Sequence, residues 1–131
     1  MKTIKQEVHF DASPREVYEA YVDAKKHAEF SGANVKFDAK RSGKFDIWDG
    51  SLTGENVKLV PGKKIVQKWR ADDWSEGHYS DLKIELFADG DGTRLKLTQE
   101  NVPEDKIDEI DEGWRQYYWE PMKKYFNPLR K

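Results

Sequence analysis

Apolar side chains recur at Ile107, Ile110, Trp114, Tyr118 (flanked by Tyr117), Met122, Tyr125 and Leu129 in steps of three or four, which places them in one stripe down an α-helix. A helix over about 103–126 is predicted, roughly 36 Å long at ~1.5 Å per residue. Pro103 suits its first position, Glu104 and Asp105 complement the positive end of its dipole, and Lys123, Lys124, Arg130 and Lys131 the other. Two residues disturb it. Gly113 is expected to mark a close backbone approach beside Trp114, or else to be an indifferent small residue. Pro121 removes the bond to the Tyr117 carbonyl and predicts a kink or an early end.

Before this helix the period changes. Ile4, Gln6, Val8 and Phe10 alternate with polar residues, as in a half-buried strand. Ser13-Pro14-Arg15-Glu16 is a capping box with proline at the first helical position, so a helix starts at Pro14 and turns Val17, Tyr18 and Tyr21 inward. Asp23 caps a second short helix that runs to Phe30 and stops at Ser31-Gly32. Alternation then returns at Val35 and Phe37, at Phe45 and Ile47, at Val57 and Leu59, at Ile65, Gln67 and Trp69, at His78, Ser80, Leu82, Ile84 and Leu86, and at Leu95, Leu97 and Gln99. Turn signals separate these runs, with Asp49-Gly50 read as a two-residue hairpin.

The order is one strand, two short helices, six antiparallel strands and one long helix, an α+β fold over residues 1–131 as a single domain. A meander with one apolar face needs one covering layer, and the final helix is the element long enough to supply it. A strongly curved sheet around a helix leaves a space that either side chains or a ligand fills. The cavity is expected among Phe45, Ile47, Trp69, Leu82, Trp114 and Tyr118, with Gln67, His78 and Ser80 as its few polar groups. His78 has a plain alternative as a hydrogen-bonded rim histidine.

Seventeen aromatics (five Trp, six Tyr, six Phe) make the expected core aromatic-rich. The net charge is −2 with both signs interleaved, which gives no electrostatic reason to expect nucleic acid or a membrane surface as partner. No apolar run is long enough to span a membrane, and the first residues lack a signal peptide's apolar segment, so a soluble, cytoplasmic protein is expected. There is no cysteine, and so no thiolate nucleophile, thiolate metal site or disulfide. His9, His27 and His78 have no metal-ligand spacing, and Asp89-Gly-Asp-Gly92 lacks the closing residues of a calcium loop. No catalytic constellation, metal site or cofactor is predicted, and the chain reads as non-enzymatic. One loop stands apart: Asp72, Asp73 and Glu76 surround Trp74, either as a partner-binding anchor ringed by charge or as an aromatic folded back over the sheet edge.

Ser42-Gly-Lys-Phe, Asp49-Gly, Leu59-Val-Pro, Lys68-Trp-Arg, Trp74-x-Glu-Gly-His78 and Gly113-Trp-Arg-Gln-Tyr-Tyr together resemble, in order and spacing, the C-terminal domain of the activators of the Hsp90 ATPase. The resemblance covers roughly residues 3 to 127 and extends to the START-like superfamily of helix-grip proteins. It implies a β-α-α-β6-α helix-grip domain in which a curved antiparallel sheet wraps a long C-terminal helix. For the activators it implies a co-chaperone that contacts an Hsp90-type chaperone, and for the wider superfamily a cavity for an apolar small molecule. It also implies that the chain starts at the domain's first strand, with no counterpart of the activators' separate N-terminal domain.

Overall fold

The computed structural model describes residues 2–126. Strand β1 (Lys2–Phe10) is followed by helices α1 (Pro14–Val22) and α2 (Ala24–Ser31). Six strands come next: β2 (Val35–Phe37), β3 (Lys44–Ile47), β4 (Leu52–Val60), β5 (Lys64–Ala71), β6 (Ser80–Asp89) and β7 (Gly92–Val102). All seven strands form one antiparallel sheet in the order β1-β7-β6-β5-β4-β3-β2. The C-terminal helix covers its apolar face, and this is the helix-grip fold.

Local chemistry sets the helix ends. The Glu16 N–H donates to Ser13 Oγ at 3.1 Å and the Ser13 N–H to Glu16 Oε1 at 2.9 Å, closing both arms of the capping box. Asp23 caps α2 through the Lys26 N–H at 3.0 Å. Gly32 ends α2 at φ 72°, the left-handed conformation that a residue without Cβ adopts at low cost.

Alternation along the strands builds the core. Ile65, Gln67, Trp69 and Ala71 of β5, Ser80, Leu82, Ile84 and Leu86 of β6, and Thr93, Leu95, Leu97 and Gln99 of β7 are buried together. In β4 the register slips between Asn56 and Lys58, which leaves Val57 exposed and turns Asn56 inward. The turn after β3 departs from the sequence reading. Ile47 pairs with Leu52, so the connection holds four residues, Trp48 to Ser51, in place of a two-residue hairpin at Asp49-Gly50. Trp48 and Asp49 both have left-handed backbones, at φ 55° and 50°.

The C-terminal helix also departs from regularity. Glu104–Lys106 form a 3-10 turn, and regular α-helix begins only at α3 (Ile107–Trp114). A π-helical segment follows over Arg115–Trp119, and α4 (Glu120–Phe126) resumes the α-helix. Pro121 therefore neither stops the helix nor acts where a simple kink would. In a regular α-helix its ring would meet the Tyr117 carbonyl; the turn just before it is widened instead, with the Glu120 N–H bonded to the Arg115 carbonyl. The extra residue turns both Tyr118 and Trp119 inward and leaves Tyr117 half exposed. Trp114 and Tyr118 face the sheet, as the stripe predicts, with the Trp114 ring 5.7 Å from Trp69. Leu129, the last stripe position, lies outside the described residues.

Gly113 is not held by close packing. The nearest atom to a Cβ built there is Tyr117 Cδ2 at 3.9 Å, an ordinary contact. Gly113→Ala is therefore expected to raise stability by about 0.5–1 kcal/mol through helix propensity. A higher denaturation midpoint with an unchanged slope would show it.

Candidate functional site

Side chains close the middle of the grip. Between Val17, Tyr21, Ile65, Ile84, Leu86, Leu95, Trp119 and Met122 the residual void is only about 10 Å³, at the lower limit of what one water needs. Most polar groups carried into this interior satisfy one another, the Trp69 and Trp74 indole N–H groups and Arg70 Nε being exceptions among the described residues. The Trp114 N–H donates to Gln99 Oε1 at 2.8 Å, Gln99 Nε2 donates to Ser80 Oγ at 2.9 Å, and Ser80 donates to the Trp69 carbonyl at 2.8 Å. Tyr21 donates to Gln67 Oε1 at 3.0 Å, Gln67 Nε2 to Asn56 Oδ1 at 2.9 Å, and Asn56 Nδ2 to the Asp38 and Lys40 carbonyls. The Trp119 N–H reaches Gln6 Oε1 at 2.6 Å, while Gln6 Nε2 bonds Asp111.

The expected interior cavity is corrected accordingly. Gln67 and Ser80 face inward as alternation predicts, but both are completely buried and spent on internal bonds. Ile47 and Leu82 are core residues with no exposed surface. Phe45, also buried, stacks on Phe37 at 5.7 Å and underlies a separate surface cleft of about 660 Å³ with Lys44, Gly54 and Tyr79. His78 lies before β6 at the rim, where its Nε2–H donates to the Asn101 carbonyl at 2.8 Å and its ring meets Trp74.

Of the nine expected cavity residues, Trp69, Trp114 and Tyr118 do share an open space, at the mouth of the grip. This cleft measures about 580 Å³. The turn after β3 brings Trp48, Asp49 and Ser51 to it, the end of β5 brings Trp69 and Ala71, and the C-terminal helix brings Ile110, Gly113, Trp114, Tyr117 and Tyr118. Asp72, Asp73 and Glu109 complete its edge. Trp48 packs edge to face on Tyr117 at 5.7 Å and on Tyr118 at 6.1 Å. Sequence reasoning missed Trp48 because it falls off the alternating face of β3, and its one signal was a large aromatic directly before a turn.

In the acidic loop after β5, the folded-back arrangement of Trp74 is the one observed. Trp74 is not a pendant aromatic: it is 5% exposed, packs on Trp69 at 5.5 Å, and the Arg70 guanidinium donates to its carbonyl at 2.8 Å. A hydrophobic ring beside Trp69 at the end of the central strand β5 loses more water by folding back than by standing among carboxylates. Asp72, Asp73 and Glu76 remain exposed, with Asp73 paired to Lys106 at 2.9 Å. That carboxylate is the main reason the Lys106 ammonium is held above its ordinary range.

His27, unassigned by the sequence reading, sits at the far end of the core. It is completely buried between Tyr21, Phe30 and Tyr118. Burial lowers it to about 4, against the opposing effect of its bond to the Tyr21 carbonyl. Among the described residues no group of three or more metal-ligating side chains converges, and no helix is long and apolar enough to cross a membrane.

The profile of the family described as activator of Hsp90 ATPase homolog 1-like protein matches residues 11–127. The chain is 35% identical over 127 residues to an activator of 90 kDa heat shock protein ATPase homolog from Dictyostelium discoideum, covering 96% of this chain and 33% of that one. It is 33% identical over 117 residues to the human activator homolog 1, covering 89% of this chain and 35% of that one. The chain thus spans about a third of the length of these relatives. Among solved structures, an HSP90 activator from Plasmodium falciparum superimposes with a TM-score of 0.90 at 27% identity, over 95% of this chain and 96% of that one. The Aha1 dimer from Colwellia psychrerythraea shares the fold over the whole of both chains at 15% identity, with a TM-score of 0.83.

Proposed function

Because the chain belongs to the activator of Hsp90 ATPase homolog 1-like family, we propose that it is a non-enzymatic binding domain of co-chaperone type whose partner is an Hsp90-type chaperone. The observation that carries this reading is the family match over residues 11–127. It is supported by a filled interior, which leaves outer surfaces to do the binding. ATPase activation is the property for which longer relatives are named, and the part assigned to this chain is the docking step.

The exposed carboxylates of Asp72, Asp73 and Glu76 are the favoured docking edge. Trp74 supports that edge from below, so its truncation tests folding and not docking. Calorimetric titration into an Hsp90-type chaperone from the same organism at low salt should give saturable binding. Reversing charge at Asp72 and Glu76 together should slow association roughly tenfold, with less change in dissociation. Undetectable binding by the folded, unmodified domain would remove the co-chaperone reading. Unaltered association by the reversed form would remove the acidic edge alone. A second reading, carriage of an apolar small molecule, draws its support from the cleft at the mouth of the grip.

A further inference from the structure

We propose that this cleft is a binding site for a small organic cation, a protonated or quaternary amine carried on an apolar body. At about 580 Å³ it falls in the size range of small-molecule sites and is open to solvent on one side. Its walls are aromatic, with Trp69 and Trp114 from the sheet and helix and Trp48 and Tyr117 on the outer side. Aromatic faces carry negative potential and attract cations that approach within ~6 Å of the ring centre.

The edge has the same sign. Asp49, Asp72, Asp73 and Glu109 line the cleft, and no lysine, arginine or histidine does. Lys106 neutralises Asp73, and the Asn34 amide, which is uncharged, bonds Asp49 at 2.8 Å. Asp72 and Glu109 are exposed and form no ion pair among the described residues, although Lys106 lies close enough to Glu109 for their charges to interact. An anion would be repelled here. A neutral apolar ligand would gain from the walls alone, whereas a cation gains from walls and edge together.

One further observation points to an occupant. The outer wall is held by strain: Trp48 and Asp49 keep left-handed backbones that side chains rarely adopt, and this turn presents the Trp48 ring to Tyr117 and Tyr118. A regular two-residue hairpin would lack this wall.

The inference does not rest on chaperone docking, and its test separates the two. Three probes sharing one phenylbutyl body are titrated, following tryptophan fluorescence and the indole N–H resonances: the trimethylammonium ion, the neutral dimethylcarbinol in its place, and the carboxylate. The ammonium ion should saturate the protein, bind about tenfold more tightly than the alcohol and weaken with salt, while the carboxylate does not bind. Asp72→Asn with Glu109→Gln, both at exposed positions, should remove about tenfold of the ammonium affinity and leave the alcohol unchanged. Tyr117→Ala should weaken both while the far-ultraviolet circular dichroism stays that of the folded protein. Equal binding of ammonium and alcohol, or no saturation by the ammonium ion, would overturn the proposal.

Discussion

Replacing Trp114 with alanine is expected to cost about 3–5 kcal/mol, the range for truncating a large buried aromatic. The ring is 2% exposed and joins the two halves of the core. It stacks on Trp119 at 5.4 Å, lies 4.8 Å from Tyr118 within its own helix, and meets Trp69 of the sheet at 5.7 Å. Truncation also strands Gln99 Oε1, which is completely buried and takes its hydrogen bond from the Trp114 indole. The two losses can be separated. Trp114→Phe keeps most of the packing and removes the donor, so it should cost about 1–3 kcal/mol, the penalty for a buried acceptor left unmet. Denaturant titration reads both. A loss under about 1 kcal/mol for the alanine variant would contradict the register in which the helix is described. Against a total stability of roughly 5–15 kcal/mol for an ordinary domain, that loss leaves about 0–12 kcal/mol, so the alanine variant is expected to fold with a sharply reduced margin.

Residues whose behaviour is decided by near neighbours were legible in the sequence. The capping box at Ser13 and Glu16, the Asp23 cap and the inward faces of β5, β6 and β7 all follow from spacing within a few residues, and they are what the structure contains. The final helix was legible as a stripe for the same reason. Its π-helical segment was not, because the stripe is blind to one inserted residue, and Trp119 was therefore overlooked beside Tyr118. Gln67 and Ser80 show where alternation stops being informative. It placed both on the inner face, yet their availability depends on Tyr21, 46 positions from Gln67, and on Gln99, 19 positions from Ser80. Both are paired, and the expected cavity closes. What remains open was fixed by the turn at Trp48, where the backbone enters a region that neither propensity nor alternation predicts for tryptophan. Burial of Trp74 was one of two readings the charged loop allowed, and it turned on whether the end of the central strand β5 offered Trp69 as a surface.

Acid should destabilise the fold through His27 more than through any exposed group. The Tyr21 carbonyl can only accept, so the His27 Nδ1 that lies 2.8 Å from it carries the ring's proton, and Nε2 accepts from the Tyr118 hydroxyl at 2.9 Å. Tyr118 can play that part because burial, reinforced by Tyr21, raises its hydroxyl well above the ordinary value and keeps it protonated. A second proton on the imidazole would break the bond at Nε2 and place a charge where no water reaches. Burial accordingly holds the folded-state value near 4, against 6.5 for an ordinary histidine. A depressed folded value means that the unfolded chain takes up the proton first. The contribution of neutral His27 is therefore complete above about pH 6.5 and is lost as pH falls toward 4, by roughly 3 kcal/mol at the lower limit. Denaturant titrations of the natural protein and of His27→Gln across pH 7.5 to 4 isolate this effect, because carboxylates common to both cancel in the difference. His27→Gln is expected to be the less stable at neutral pH, since the amide fills the ring's place incompletely, and the gap should narrow by about 3 kcal/mol as the pH falls. A gap that stays constant over that interval would mean that the imidazole accepts its proton inside the fold as readily as outside it, and that the Tyr21–His27–Tyr118 contact is not the dry, neutral junction described above.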